Sequence, residues 1–97
     1  MRYEIVLSPE ALEDLHRLSA RDRSSIRDAL ERHRRHEPEK ESRSSIKRFR
    51  GVTRPQYRLR VGDFRVFYDV GEGVVEILAV VPKSQMEDWL QDVGGNL

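Results

Sequence analysis

Residues 57–70 read YRLRVGDFRVFYDV, two alternating segments separated by Gly62-Asp63. Apolar residues at every second position, from Tyr57 to Val61 and from Phe64 to Val70, predict two half-buried strands. Gly followed by Asp predicts a two-residue hairpin turn of type II′, because glycine accepts the positive φ of the first turn position. That turn sets the register: Val61 faces Phe64, Arg60 faces Arg65, Leu59 faces Val66, Arg58 faces Phe67 and Tyr57 faces Tyr68. Opposed side chains share a face, as do residues two apart. Tyr57, Leu59, Val61, Phe64, Val66 and Tyr68 therefore point into a core. Arg58, Arg60, Arg65 and Phe67 point the other way. Directly opposed like charges destabilise a hairpin, so three arginines on one sheet face call for an anionic partner.

The charge distribution points the same way. The net charge of the 97 residues is only +1. Residues 43–65, however, hold Arg43, Lys47, Arg48, Arg50, Arg54, Arg58, Arg60 and Arg65 against Asp63 alone. Residues 66–97 hold Lys83 against six acids. A basic segment inside a nearly neutral chain attracts polyanions to one place.

The remaining elements follow in order. Arg2–Leu7 alternates and predicts a strand. Ser8 is an N-cap and Pro9 suits the first helical position, with Glu10, Glu13 and Asp14 at the positive end of the helix. Ala11, Leu12, Leu15 and Leu18 predict its apolar stripe, and Glu13-Asp14 reads as solvated. Ser19 with Asp22 opens a second helix carrying Ile26, Ala29, Leu30 and His33, which Pro38 stops. Residues 37–45 read as a loop, and Ile46–Arg50 as a short strand. The hairpin follows. Gly71-Glu72-Gly73 is a second turn, and Val74–Val81 is apolar enough for a central strand covered on both faces. Ser84 with Glu87 predicts a capping box for a last short helix carrying Met86, Trp89 and Leu90.

The fold class is α+β: an N-terminal strand, a two-helix hairpin, a three- to four-stranded antiparallel sheet and a short C-terminal helix, in a single domain over residues 1–97. With 37% hydrophobic residues against 36% charged, the core is thin. The absence of cysteine excludes disulfides, structural zinc and thiol chemistry. The three histidines have no metal-ligand spacing, so no metal and no cofactor are expected. There is no signal-like or membrane-spanning run, and the expected location is the cytoplasm.

The order of elements, the Ser8-Pro9 opening, the Phe49-Arg50-Gly51 step and above all Tyr57 to Tyr68 resemble the RelE/ParE superfamily of bacterial toxins. The resemblance covers about residues 2 to 90. It implies a toxin of a type II toxin–antitoxin system, whose partners are a cognate antitoxin and, only through that antitoxin, operator DNA. RelE-like members work on the ribosome and cut mRNA by attack of a ribose 2′-hydroxyl on the neighbouring phosphate. ParE-like members act on DNA gyrase and cut nothing. The expected function is therefore a ribosome-dependent mRNA endoribonuclease that inhibits translation. The alternatives are a gyrase inhibitor or a catalytically weakened, antitoxin-binding member.

The resemblance also assigns residues. Arg58, Arg60 and Arg65 fall where RelE-like enzymes place catalytic basic groups, and Arg50 where they place a further phosphate ligand. Lys47, Arg48 and Arg54 extend the RNA-binding surface. Phe67, on the same face, either stacks a base or is covered by a helix or partner. RelE-like enzymes follow the last strand with an Arg-rich turn and a Tyr. Here the stretch is PKSQMEDWL, with neither, and Lys83, Lys47 and Glu87 are the residues left to move a proton. An antitoxin is expected either over the arginine face or in place of the C-terminal helix, on Met86, Trp89 and Leu90. Tyr57 and Tyr68 read as core partners.

Overall fold

A computed structural model describes residues 3–34, 46–49 and 54–93. The hairpin forms in the expected register. Strands β3 (Tyr57–Val61) and β4 (Phe64–Gly71) are antiparallel, with Tyr57 opposite Tyr68 and Arg60 opposite Arg65. Gly62 has φ +56°, and among the described residues no non-glycine residue, Asp63 included, has positive φ, as a II′ turn requires.

Three further strands complete one sheet in the order β1-β5-β4-β3-β2. Strand β2 (Ile46–Arg48) pairs antiparallel with β3, and β5 (Val74–Pro82) antiparallel with β4. Strand β1 (Glu4–Leu7) lies parallel to β5 at the opposite edge, Glu4 opposite Val74 and Leu7 opposite Ile77. The sheet is thus mixed, with four antiparallel strands and one parallel edge strand.

Helices α1 (Pro9–His16) and α2 (Ala20–Ala29) cover one face. Both start at the expected caps: Ser8 Oγ accepts from the Ala11 N–H at 3.1 Å and Ser19 Oγ from the Asp22 N–H at 3.1 Å. α2 runs on into one π-helical turn, Leu30–Arg34, so its apolar residues continue past Ala29. The stop at Pro38 and the loop over 37–45 lie outside the described residues, as does the His33 side chain. Ala11, Leu15, Ile26, Ala29 and Leu30 pack on Tyr57, Leu59, Val66, Tyr68, Val75, Ile77 and Val80. Leu12 does not join them; it is 43% exposed. On α1, Ala11 and Leu15 stack one above the other, and Leu12 falls about 100° to the side.

A bulge sets the faces of β5. Phe67 pairs with Ala79 but Tyr68 with Ile77, which leaves Leu78 without a partner. The extra residue switches the alternation, so Val75, Ile77 and Val80 face α1 and α2 while Ala79 and Val81 face away. β1 ends at Leu7, and beyond it the chain of α1 closes the edge of β5. The Ser8 N–H donates to the Ile77 carbonyl at 2.9 Å and Ser8 Oγ to the Leu78 carbonyl at 3.0 Å. Asp14 Oδ2 accepts from the Val80 N–H at 3.0 Å. Asp14 is therefore no solvated helix position but a cap on an open sheet edge.

That role gives a pH dependence. Burial raises the Asp14 carboxyl above its ordinary value, while the Val80 N–H and Arg17 pull it down. A carboxyl raised in the folded state binds its proton more tightly there than in the unfolded chain. Its contribution to stability is most favourable at low pH and fades as pH rises from the ordinary value through the raised one. Asn keeps an acceptor for Val80 without a charge to bury. Asp14→Asn should flatten that part of the stability–pH curve and be no less stable at neutral pH. Urea midpoints taken between about pH 4 and pH 7 check it; curves parallel to wild type would count against it.

The last helix starts differently from expectation. Ser84 caps nothing. Residues Lys83–Gln85 form a 3-10 turn after Pro82, and α3 runs Met86–Val93. It lies on the sheet face opposite α1 and α2, over Phe67, Ala79 and Val81. Among the described residues no helix is long and apolar enough to cross a membrane.

Candidate nucleic-acid interface

The basic face is built row by row across the strands. Lys47 lies opposite Arg58, and Arg58 opposite Phe67; one step along, Arg60 lies opposite Arg65. Four cations from β2, β3 and β4 thus share the face that α3 partly covers. Arg60 and Lys47 are exposed, Arg58 half-buried and Arg65 only 4% exposed. Among the described residues none of the four forms an ion pair.

Their electrostatics reflect that crowding. Burial first, then the Arg60 charge, lowers the Arg58 guanidinium below its ordinary value. Burial, then Arg58 and Arg60, does the same to Arg65, with Asp63 opposing. The charged forms are held at a cost that an anion on this face would relieve.

Arg65 is the residue whose role the sequence placed least well. Its Nη1 donates to the Gly62 carbonyl at 3.0 Å and to the Phe64 carbonyl at 2.9 Å. The guanidinium ties down the hairpin turn from below rather than standing free in the open. Both bonds come from one guanidinium nitrogen, and lysine, one atom shorter, sets its ammonium short of that position. Arg65→Lys should cost roughly 1.5–3 kcal/mol of stability, the range for hydrogen bonds to a charged group. Denaturant titration reads it, and a midpoint within error of wild type would remove the turn-anchoring role. Loss of function in an Arg65 variant is therefore partly loss of the hairpin.

The other expected ligands divide. Lys83 is exposed, and its N–H donates to the Asp63 carbonyl at 2.8 Å, which brings it to the hairpin tip. Asp63, Pro82, Lys83 and Ser84 line an open cleft of about 460 Å³ there. Arg50 lies outside the described residues. Arg48 sits on the opposite sheet face, its guanidinium carbon 5.1 Å from the centre of the Tyr57 ring, because it is one residue out of step with Lys47. Arg54 is committed to acids further along the sheet, where Asp69 on β4 alternates in step with Arg65 and Phe67. Its Nε donates to Asp69 at 3.0 Å and its Nη2 to Glu76 at 3.2 Å, two acids paired across β4 and β5.

Phe67 is not open to a base in this conformation. It is fully buried, with Trp89 stacked on it at 4.5 Å and 12° and Phe49 at 6.1 Å and 30°. Met86, Trp89 and Leu90 are half-buried on the docked side of α3 rather than presented outward, since the amphipathic helix turns them onto Phe67, Ala79 and Val81. Phe49 was missed as a member of this cluster; its parity with Lys47 was the available signal. Tyr57 and Tyr68 stack at 5.2 Å in the other core, away from the arginines.

Comparison with known proteins identifies the family and the fold. Residues 5–87 match the model of the family described as ParE toxin of type II toxin-antitoxin system, parDE. No curated protein sequence matches. The fold is similar to that of RelBE2 from Mycobacterium tuberculosis, a toxin–antitoxin complex, at 22% identity and TM-score 0.65, covering 84% of this chain and 99% of the other. It is similar to the RelB–RelE complex of Methanococcus jannaschii at 19% identity and TM-score 0.66, covering 87% and 96%. It is also similar to the archaeal RelE–RelB complex of Pyrococcus horikoshii at 25% identity and TM-score 0.57, covering 88% and 99%. The chain belongs to the ParE toxin family within the RelE/ParE superfamily, and is a toxin of a type II toxin–antitoxin system.

Proposed function

We propose that this toxin inhibits translation by holding messenger RNA on the ribosome and cleaving it. The observation that carries the reading is the set of four cations, Lys47, Arg58, Arg60 and Arg65, gathered on one sheet face with no acidic side chain paired to them among the described residues. Guanidinium groups hold phosphate oxygens in a fork and stabilise the extra charge of a pentavalent phosphorus. In the proposed step solvent water takes the proton of a ribose 2′-hydroxyl as its oxygen attacks the adjacent phosphorus, and the bond to the 5′-oxygen breaks, leaving a cyclic phosphate. Arginine stays protonated and serves as no base. In this reading Lys83, near the hairpin tip, gives a proton to the leaving 5′-oxygen. Positioning and charge stabilisation supply the rest of the rate.

A cognate antitoxin is the proposed regulator, acting in the cytoplasm and linking the toxin to operator DNA. To reach the packed side of Met86, Trp89 and Leu90, an antitoxin segment has to lift α3.

A second reading has its own support. The matching family is the ParE type, and the described part of the basic face holds no histidine or tyrosine to exchange a proton. Those facts favour action on DNA gyrase without cleavage. Mapping transcript ends in cells expressing the chain separates the two. Codon-aligned mRNA ends that disappear with Arg60→Gln support the endoribonuclease. Intact mRNA with gyrase-trapped DNA breaks replaces it with the second reading.

A further inference from the structure

Helix α3 is held differently from the rest of the molecule. α1 is bonded to β5 through Ser8 and Asp14, and Arg23 of α2 donates to the Leu15 and Leu18 carbonyls at 3.1 and 2.9 Å. Among the described residues no side-chain hydrogen bond or ion pair joins α3 to the sheet. Its hold is apolar and centres on the Trp89 indole lying nearly parallel to Phe67 at 4.5 Å. That is the arrangement in which a nucleobase stacks on an aromatic side chain.

The polar surroundings are incomplete in a matching way. Arg58 Nε, Arg65 Nε and Trp89 Nε1 are buried and have no hydrogen-bond partner. Arg58 lies directly across the strands from Phe67, and Arg65 two residues before it on β4. Native interiors leave few such groups unpaired. All three are donors and two are cationic, so what is missing is an anionic acceptor. Glu87, Asp88 and Asp92 on α3 are exposed and do not supply it.

We infer that the sheet face beneath α3 is a nucleotide subsite: Phe67 is the platform for an RNA base, Arg58 Nε and Arg65 Nε receive the phosphate, and Trp89 occupies the base position until RNA displaces it. The inference deepens the RNA-binding reading above and rests on it. It adds a stacking site that the closed conformation hides. It also makes α3 a competitor of the ligand rather than part of its binding surface.

Trp89 is the chain's single tryptophan, so its fluorescence reports where α3 lies. The full-length purified chain is titrated with a short single-stranded RNA and with an abasic strand of the same length. The RNA should quench Trp89 or shift its emission to the red, and the abasic strand, which keeps the phosphates, should not. Trp89→Leu removes the competing indole and should bind the RNA on the order of tenfold more tightly. RNA binding with unchanged Trp89 emission would overturn the subsite and leave the basic-face reading standing, as would the same emission change with the abasic strand. Absence of RNA binding at low salt, in wild type and variant alike, would overturn both. Should Trp89→Leu fail to fold, the wild-type emission decides alone.

Discussion

Arg60→Gln should abolish toxicity while leaving the protein as stable as before or slightly more so. Arg60 is exposed and forms no hydrogen bond or ion pair among the described residues, so its removal breaks no contact. It lies opposite Arg65 on the hairpin and its charge disfavours the charged forms of both Arg58 and Arg65. Relief of one opposed like-charge pair is worth up to about 1 kcal/mol. The same charge is well placed to reach a phosphate, so binding to RNA should weaken and the slope of log affinity against log salt should fall by about one. The paired measurement is growth on induction together with the denaturation midpoint. Full toxicity in Arg60→Gln would remove this face from the mechanism. A large loss of stability would show that Arg60 has structural contacts that its exposure does not reveal. The contrast with Arg65 is instructive. Arg65 sits in the same face and carries the same charge, yet two of its hydrogen bonds go to the hairpin's own carbonyls, so its variants mix a binding defect with a folding one.

The largest effect on stability is expected from Tyr68→Ala. Tyr68 is fully buried at the centre of the sheet, stacked at 5.2 Å on Tyr57 and packed in the core beneath α1 and α2. Cutting a buried aromatic to alanine costs about 3–5 kcal/mol, and losing the ring pair is included in that. A domain of this length has roughly 5–15 kcal/mol in all. Much of the variant's margin should be gone, with a large drop in the urea midpoint and loss of toxicity through unfolding. Tyr68→Phe keeps the ring and should keep toxicity, since Tyr68 faces away from the arginines. Loss of toxicity in Tyr68→Phe with the fold intact would instead give the phenol a direct chemical role.

The two aromatic clusters illustrate how far local pattern carries. Tyr57 and Tyr68 could be assigned to the core because they alternate in step with Leu59 and Val66, and alternation is a property of the strand itself. Phe67 could be assigned to the opposite face by the same rule. That Trp89 would cover it could not be read in the same way, because the stack joins two elements whose patterns are both satisfied without it. Arg54 is a similar case. It looked like one more cation in a basic run, and only the pairing of β4 with β5 brings Asp69 and Glu76 together as its partners.

By itself the sequence determined the helix starts at Ser8 and Ser19, the hairpin turn at Gly62 and the register that puts Arg58, Arg60 and Arg65 on one face. Those features depend on spacings of a few residues, where caps, glycine φ and side-chain alternation act directly. Tertiary structure decided the rest: the parallel pairing of β1 with β5, the bulge at Leu78 that reverses the faces of β5, the burial of Asp14 against Val80, and the docking of α3 on the basic face. Glu4 meets Val74 and Asp14 meets Val80 across most of the chain. Contacts of that span are selected by which surfaces can be buried together and which edge groups are left to satisfy. The arginine face was therefore legible as a charge pattern. Which of its guanidinium groups is free to meet a ligand, and which is already committed to the fold, is a property of the packed molecule.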